Sequence, residues 1–153
     1  MYNGLPVYLE GGVRYLALDV GEKTIGLAIS DPTGCLARPV GTLKRTDADS
    51  DFAALRRTAD EMEAETLVIG YPVRIDGQAG DASRRMDRFA RRLRGRLARP
   101  VLGVDERYSS LEAAEWLAGR TARKARFDEH ALAAAMILRR FIEEGEAVVL
   151  ARW

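Results

Sequence analysis

The first third of the chain alternates short apolar runs with turn residues, a pattern that predicts β-strands. The run Tyr15–Asp19 is almost wholly apolar, as in a central strand that is covered on both faces. After Gly21 comes a second apolar run, Ile25–Ile29, which ends at the turn-forming segment Asp31–Gly34. A weaker strand is predicted over Leu36–Leu43. Because the connections between these runs are short, we expect an antiparallel meander.

The period of the apolar residues changes after the third strand. An amphipathic helix is predicted from apolar residues that recur every three or four positions, namely Phe52, Leu55, Ala59 and Met62. The candidate N-caps of this helix are Asp49, Ser50 and Asp51. The remaining predicted elements, in order, are a buried strand Thr66–Pro72, a helix Ala82–Gly95, a strand Val101–Arg107, a helix from Ser109 or Ser110 to Ala118, and a last helix His130–Glu144.

A meander followed by strands that alternate with helices predicts an α/β domain with a mixed five-stranded sheet flanked by helices. The domain is expected to span residues 13–153, after a flexible N-terminal extension over residues 1–12. In such a sheet the ligand cleft lies beyond the carboxyl ends of the parallel strands. The chemistry is therefore expected at the ends of the predicted strands Tyr15–Asp19, Thr66–Pro72 and Val101–Arg107.

The composition of the chain excludes several classes of protein. Of its 153 residues, 47% are hydrophobic and 31% are charged, which is typical of a globular domain. No apolar run approaches the roughly 20 residues that a membrane span needs, and the first residues lack the segments of a signal peptide. Cys35 is the only cysteine, which excludes an intrachain disulfide and a cysteine zinc cluster. We therefore expect a cytoplasmic protein that does not bind membranes.

The net charge of +1 conceals two blocks of opposite sign. Residues 46–66 are rich in Asp and Glu, whereas residues 84–99 contain eight arginines and the single acid Asp87. Separated blocks of charge favour a basic face that binds polyanions. A solvated helix surface would explain the same arginines, because a separate apolar stripe already accounts for the helix, through Met86, Phe89, Leu93 and Leu97.

Ionisable side chains mark the ends of the predicted strands and the start of the last helix. Asp19 ends the first strand, and Asp105 and Glu106 end the fifth. Asp128 and His130 lie at the start of the helix. Clustered acids raise each other's pKa, and a divalent cation relieves this repulsion. Oxygen ligands with at most one imidazole suit Mg²⁺ or Mn²⁺ better than zinc, and a pair of such ions about 4 Å apart catalyses phosphodiester hydrolysis.

Each of these residues also has a purely structural interpretation. A lone aspartate after a strand is most often a turn residue, and Asp128 would favour a helix N-terminus electrostatically. Neighbouring strand residues point to opposite faces, so only one of Asp105 and Glu106 is expected in a cleft, and the other would pair with Arg107. A single histidine such as His130 is more often a hydrogen-bonded structural residue than a ligand. Only the shared location of these residues favours a site.

Four segments resemble motifs of a known family. They read ALDVGEKTIGLAISD, LVIGYPVRIDGQAG, VDERYSSLEAAEWL and HALAAAMIL, in the order and spacing of the YqgF/RuvX family. The resemblance covers about residues 14–144 of the chain. It implies an RNase H-like fold and a Holliday-junction-resolvase-like nuclease. The family is also implied in maturing the 5′ end of the small-subunit ribosomal RNA.

The resemblance implies roles for individual residues. Asp19 matches the first catalytic carboxylate of the family, and Glu106, with Asp105 beside it, matches a second acid. Related junction resolvases carry a glutamate at the end of the fourth strand, where this chain has Tyr71. The second acid must therefore come from the fifth strand.

The third acid of the family begins the final helix, and here the chain departs from the pattern. Counting back from residues 136–138 places His130 at the position of the aspartate, with Asp128 two residues earlier. Either His130 replaces the carboxylate as a metal ligand or Asp128 serves. In the metal site that the family implies, Asp19 would bridge two Mg²⁺ or Mn²⁺ ions and Glu106 would ligate one of them.

The leading hypothesis is a metal-dependent nuclease that acts on branched DNA or structured RNA. Its cations would contact phosphates without reading sequence, through Lys23, Arg84, Arg88, Arg91, Arg92, Arg107, Arg120, Arg123, Lys124 and Arg126. The second hypothesis is a catalytically inactive RNase H-like binding module, which the histidine at position 130 fits. The third is an actin-like or sugar-kinase phosphotransferase, since residues 19–26 read D-x-G-x-x-x-x-G, although such enzymes need two domains. A symmetric four-way junction would require a two-fold homodimer.

Overall fold

A mixed sheet forms the centre of the computed structural model, which describes residues 12–73, 80–106 and 129–153. Its strands are β1 (Tyr15–Val20), β2 (Thr24–Ser30), β3 (Ala37–Lys44), β4 (Thr66–Tyr71), β5 (Val101–Asp105) and β6 (Val149–Arg152). The helices in these ranges are α1 (Ala48–Glu61), α2 (Asp81–Leu97) and α3 (Glu129–Glu144), and the 3₁₀ turn Gly145–Val148 follows α3. The helix predicted to end at Ala118 and residues 1–11 of the predicted extension lie outside the described residues.

The strands lie in the order β3-β2-β1-β4-β5-β6. The first three form the predicted antiparallel meander, with β2 between β1 and β3. The strands β1, β4 and β5 run parallel, and β6 returns antiparallel beside β5. The carboxyl ends of the three parallel strands therefore meet at one edge of the sheet, where a cleft is expected.

The sixth strand corrects the prediction of a five-stranded sheet. β6 has four residues, too few for alternation in the sequence to distinguish a strand from a helix end. Its pairing with β5 is extended by two backbone hydrogen bonds between Val101 and Trp153, with N···O distances of 3.2 and 2.9 Å. Gly103 of β5 leaves room for the indole ring of Trp153, which lies 2.9 Å from the position that a Cβ would occupy. Contacts formed only in the folded chain therefore define this strand.

The start of α1 also differs from the prediction. The N-cap is Asp47, whose carboxylate accepts a hydrogen bond from the Ser50 backbone N–H at 2.9 Å. None of the three candidate caps holds this position. Asp51 is instead buried within the helix and accepts a hydrogen bond from the Thr46 backbone N–H, and Asp49 pairs with Arg96 at the surface. Because each of these residues is a good capping type, the sequence alone could not select the one that caps.

Alternation along the strands separates two apolar cores. One face of the sheet carries large side chains that pack against α1 and α2, including Leu16, Leu18, Ile25, Leu27, Ile29, Leu67 and Ile69. The opposite face carries smaller residues that pack against α3, including Ala17, Ala28 and Val68. The buried surface of α3 is also rich in alanine, with Ala131, Ala134 and Ala135. Small residues on both surfaces let α3 lie close to the sheet. No helix within the described ranges is long and apolar enough to span a membrane.

Candidate active site

Asp19 occupies the face of β1 that α3 covers. Leu16 and Leu18 point into the core beneath α1 and α2, so alternation directs Ala17 and Asp19 to the opposite face. The Asp19 side chain is 24% exposed, which leaves the carboxylate accessible at the edge of the sheet. The alternation of β1 and the packing of α3 on this face together place a partly exposed acid on the α3 side of the sheet.

The start of α3 is brought to Asp19 by a glycine on the neighbouring strand. Gly26 of β2 is the register partner of Asp19. A Cβ atom on Gly26 would lie only 1.9 Å from the carbonyl oxygen of His130, so no other residue fits beneath the backbone of α3 at this point. With the helix this close, His130 Nδ1 lies 3.2 Å from Asp19 Oδ2. This contact joins two of the residues that the sequence analysis singled out.

Glu106 reaches the same region over a second glycine. A Cβ atom on Gly70 of β4 would lie 2.8 Å from Glu106 Oε2 and 2.8 Å from Ile137 Cδ1, so the carboxylate occupies the space that Gly70 leaves. Burial raises the pKa of the Glu106 carboxyl above its usual value, and the negative charges of Asp19 and Asp105 raise it further. The charges of Glu106, Asp19 and Asp105 therefore interact, and these three residues are called the acid cluster below.

Asp105 has different surroundings from its neighbour. It is almost fully buried, and its carbonyl oxygen accepts a hydrogen bond from Arg140 Nη1 of α3 at 3.1 Å. The same guanidinium lies 4.0 Å from Asp105 Oδ1. The environment of Asp105 is thus that of a buried acid beside an arginine. The predicted partner Arg107 lies outside the described residues.

The donors in this region have the chemistry of a site for a hard divalent cation. Asp19 and Glu106 offer carboxylate oxygens and His130 offers one imidazole nitrogen, a set that suits Mg²⁺ or Mn²⁺. Burial is the main reason that the pKa of Glu106 is raised, and the repulsion from Asp19 and Asp105 adds to it; a cation would remove that repulsion. Within residues 12–73, 80–106 and 129–153, however, no three side chains of His, Cys, Asp or Glu form a group that could hold a metal ion. Asp128, the other candidate for the third position, lies outside these ranges.

The arginines predicted to bind nucleic acid have several environments. Arg84 pairs with Asp81 one turn away, and the Arg92 guanidinium lies 5.3 Å from the centre of the Phe52 ring of α1. Arg88 and Arg91 are exposed on α2. Lys23 is exposed in the turn between β1 and β2. The other predicted contacts lie outside the described residues, namely Arg107, Arg120, Arg123, Lys124 and Arg126.

A groove of about 760 Å³, here called the β3–α2 groove, lies beside the acid cluster. Its lining includes Lys23, and also three cations that the sequence analysis did not select, Lys44, Arg45 and Arg85. For Lys44 and Arg45, the expected strand pairing of the meander would have predicted a position near the site. Thr24 pairs with Lys44, so the end of β3 returns to the edge of the sheet where β1 ends. An antiparallel meander therefore places the end of its third strand near the end of its first.

The chain has an RNase H-like fold. Over 90% of its length it superposes on 99% of a Thermus thermophilus protein solved as "T. thermophilus RuvC in complex with Holliday junction substrate", with a TM-score of 0.58 and 15% identity. A second match is "Thermus thermophilus RuvC structure", with a TM-score of 0.57 over 90% of this chain and 98% of that one, at 13% identity. At these identities the matches establish the fold alone.

Sequence comparisons give the family. Residues 13–144 match the family model described as "RuvX: Holliday junction resolvase". A Synechococcus sp. protein named "Putative pre-16S rRNA nuclease" is 39% identical over 131 residues, which cover 84% of this chain and 88% of that protein. A Chromobacterium violaceum protein of the same name is 38% identical over 137 residues, covering 87% of this chain and 100% of that one. The chain belongs to the RuvX family, which confirms the resemblance found in the sequence.

Proposed function

We propose that this protein is an endonuclease that hydrolyses phosphodiester bonds in structured nucleic acid with the help of a divalent cation. The observation that carries the proposal is that His130 contacts Asp19, and that Glu106 lies close enough to Asp19 for their charges to interact, although the three residues come from distant parts of the chain. Membership of the RuvX family and the resolvase-like fold support the same activity.

The site residues would divide the work as follows. Asp19 and Glu106 would hold Mg²⁺ or Mn²⁺ through carboxylate oxygens, and His130 or Asp128 would complete the set of ligands. A cation held there would supply Lewis acidity, which lowers the pKa of water and stabilises negative charge on a phosphate. Gly26 lets the backbone of His130 approach β2 beside Asp19, and Gly70 leaves the space that the Glu106 carboxylate occupies. Asp105 and Arg140 would hold the end of β5, and hence Glu106, in place.

The proposed substrates follow from the names of the relatives. Two curated relatives carry the name of a pre-16S ribosomal RNA nuclease, and the family is described as a Holliday junction resolvase. We therefore propose that the chain cleaves the 5′ end of a ribosomal RNA precursor, junction-like DNA, or both, in the cytoplasm. A two-fold homodimer is the proposed form for a symmetric junction.

Replacement of Asp19 tests the catalytic proposal. The Asp19→Asn variant keeps the shape of the side chain and removes the charge that holds the cation. Cleavage of a four-way DNA junction and of a structured ribosomal RNA precursor would be measured with Mg²⁺ and with Mn²⁺. Asp49→Asn, at an exposed acid on α1, is the matched control. We expect loss of cleavage in the first variant only, and undiminished cleavage by Asp19→Asn would refute the assignment.

A binding module without catalysis is the second candidate. The observation that favours it is His130, which stands at the position where the resemblance to the family implies an aspartate. Under this alternative the wild-type protein would bind the same nucleic acids but would not cleave them with either metal. Metal-dependent cleavage that disappears in Asp19→Asn would exclude this candidate.

A further inference from the structure

The β3–α2 groove is continuous with the candidate active site. Glu106 lines the groove, as does Gly21 of the β1–β2 turn. A Cβ atom on Gly21 would lie 3.5 Å from His130 Cε1, so this turn also borders the histidine. A molecule lying in the groove would thus have one end beside Glu106 and the turn that borders His130.

The groove has the charge expected for a polyanion. Lys23, Lys44 and Arg85 line it, and within the described ranges none of the three forms an ion pair. The three acids that line the groove have other surroundings. Asp51 pairs with Arg45 at 3.5 Å, Glu22 is exposed, and Glu106 is part of the acid cluster. Phosphate groups would therefore find cations along the groove.

Arg45 is held in the groove wall by polar contacts and lies against an aromatic ring. Its Nη1 donates to the Gly21 carbonyl oxygen at 2.7 Å, and its guanidinium carbon lies 5.6 Å from the centre of the Phe89 ring. Met86 lines the groove beside Phe89. Guanidinium planes and aromatic rings are the surfaces on which unpaired bases stack. Since the bonds to Gly21 and Asp51 already hold Arg45, little side-chain freedom remains to be lost on binding.

We propose that the β3–α2 groove binds a single strand of nucleic acid and leads it to the acid site. The cations would contact consecutive phosphates, and bases would lie against Arg45, Met86 and Phe89. A duplex is a poorer occupant, because its bases are stacked on one another and are not available to these side chains. This proposal depends on the proposed nuclease function only for the reaction that takes place at the end of the groove.

Binding in the absence of metal tests the groove separately from catalysis. The protein would be titrated in EDTA against fluorescent 12-nucleotide single-stranded RNA, single-stranded DNA and a blunt DNA duplex, at several KCl concentrations. The test variant is the triple substitution Lys23→Gln, Lys44→Gln and Arg85→Gln. The control removes the same charge at exposed positions outside the groove, by Arg38→Gln, Arg57→Gln and Arg94→Gln.

The groove variant is expected to bind single strands about tenfold more weakly. Its plot of log K against log[KCl] should become shallower by about 2, because each lost phosphate contact on a single strand removes about 0.7 from the slope. The control should change neither quantity appreciably. The ranking of RNA and DNA shows which strand the groove prefers. Equal losses in the groove and control variants, or an equal loss for the duplex, would overturn the proposal.

Photocrosslinking of the unmodified protein gives a test that does not depend on variants. Single strands with 4-thiouridine or 4-thiothymidine would be crosslinked to the wild-type chain, and the adducts located by mass spectrometry. Adducts within residues 20–23, 44–46 or 82–89 support the groove, and adducts confined to other segments refute it. If Asp19→Asn loses cleavage but the binding tests fail, the proposed nuclease function is supported and the proposed role of the groove is refuted. If the groove binds single strands but the protein shows no metal-dependent cleavage, the role of the groove is supported and the nuclease function is refuted.

Discussion

Replacing Gly26 with alanine should separate His130 from Asp19 while leaving both side chains present. The new methyl group would lie 1.9 Å from the His130 carbonyl oxygen and 2.8 Å from the Ala131 nitrogen. Because ordinary contacts with carbon are about 3.5 Å or longer, the start of α3 must retreat by roughly 1.5 Å. The 3.2 Å contact between His130 and Asp19 would then exceed hydrogen-bonding distance.

Two measurable effects follow from this displacement in Gly26→Ala. Overpacking costs about 1–3 kcal/mol of folding free energy, which for a domain of this size lowers Tm by roughly 2–12 °C. A misplacement of about 1 Å in a catalytic group lowers the rate of cleavage by about 100-fold. The assay is metal-dependent cleavage measured well below Tm, together with urea unfolding.

The control for this prediction is Gly95→Ala on α2. A Cβ atom at Gly95 would have no neighbour within 4 Å, so alanine there should be neutral or stabilise the helix by up to about 1 kcal/mol. Wild-type cleavage and stability in Gly26→Ala would show that α3 does not depend on Gly26 for its position. That result would refute the structural reasoning for His130.

Three further predictions address the cap, the pKa and the metal. Asp47→Ala should lower the free energy of unfolding, measured in urea, by about 0.5–2 kcal/mol, because the N-cap of α1 is lost. Asp49→Ala, the control, should lower it by less than about 0.5 kcal/mol. The reverse order would contradict the assignment of Asp47 as the cap. Because the pKa of the Glu106 carboxyl is raised in the folded state, metal-free protein should lose stability as the pH rises from the unfolded pKa of 4.5 through the raised pKa. Glu106→Gln should remove that loss. If the pH profile of stability in EDTA is the same for the variant and the wild type, the raised pKa of Glu106 is refuted. His130→Asp should increase the ratio of Mg²⁺-supported to Mn²⁺-supported cleavage by about tenfold, because imidazole favours Mn²⁺ more than Mg²⁺. Equilibrium titrations should show weaker Mn²⁺ binding by the variant. An unchanged ratio would point to Asp128 as the ligand.

Much of the fold could be predicted from the sequence because local patterns encode it. The apolar runs of β1 and β2 identify buried strands, and the three-to-four spacing of Phe52, Leu55 and Ala59 identifies α1. The last strand, β6, could not be predicted in this way, because its pairing with β5 and the fit of Trp153 over Gly103 are long-range. The choice of Asp47 as N-cap depends on a side-chain geometry that several nearby residues could have adopted.

The candidate site was predictable in part for a similar reason. Asp19 and Glu106 stand at the ends of parallel strands, where the topology of the sheet brings them to one edge. The closeness of His130 to Asp19 depends on Gly26, whose importance appears only when α3 is seen against β2. Lys44 and Arg45 were missed because their place in the groove follows from strand register and not from a local run of charge.

The contact between Asp19 and His130 joins residues 111 positions apart. Such a contact closes a long loop of the chain and depends on elements from both ends of the domain. Domains emerge from the ribosome with the N-terminal part first, so a nascent chain that has been synthesised only through Glu106, the residue after β5, has Asp19 and Glu106 but lacks α3. Assembly of this pair of side chains therefore requires the synthesis of α3, and a chain that stops before α3 would carry two of the acids without the third ligand.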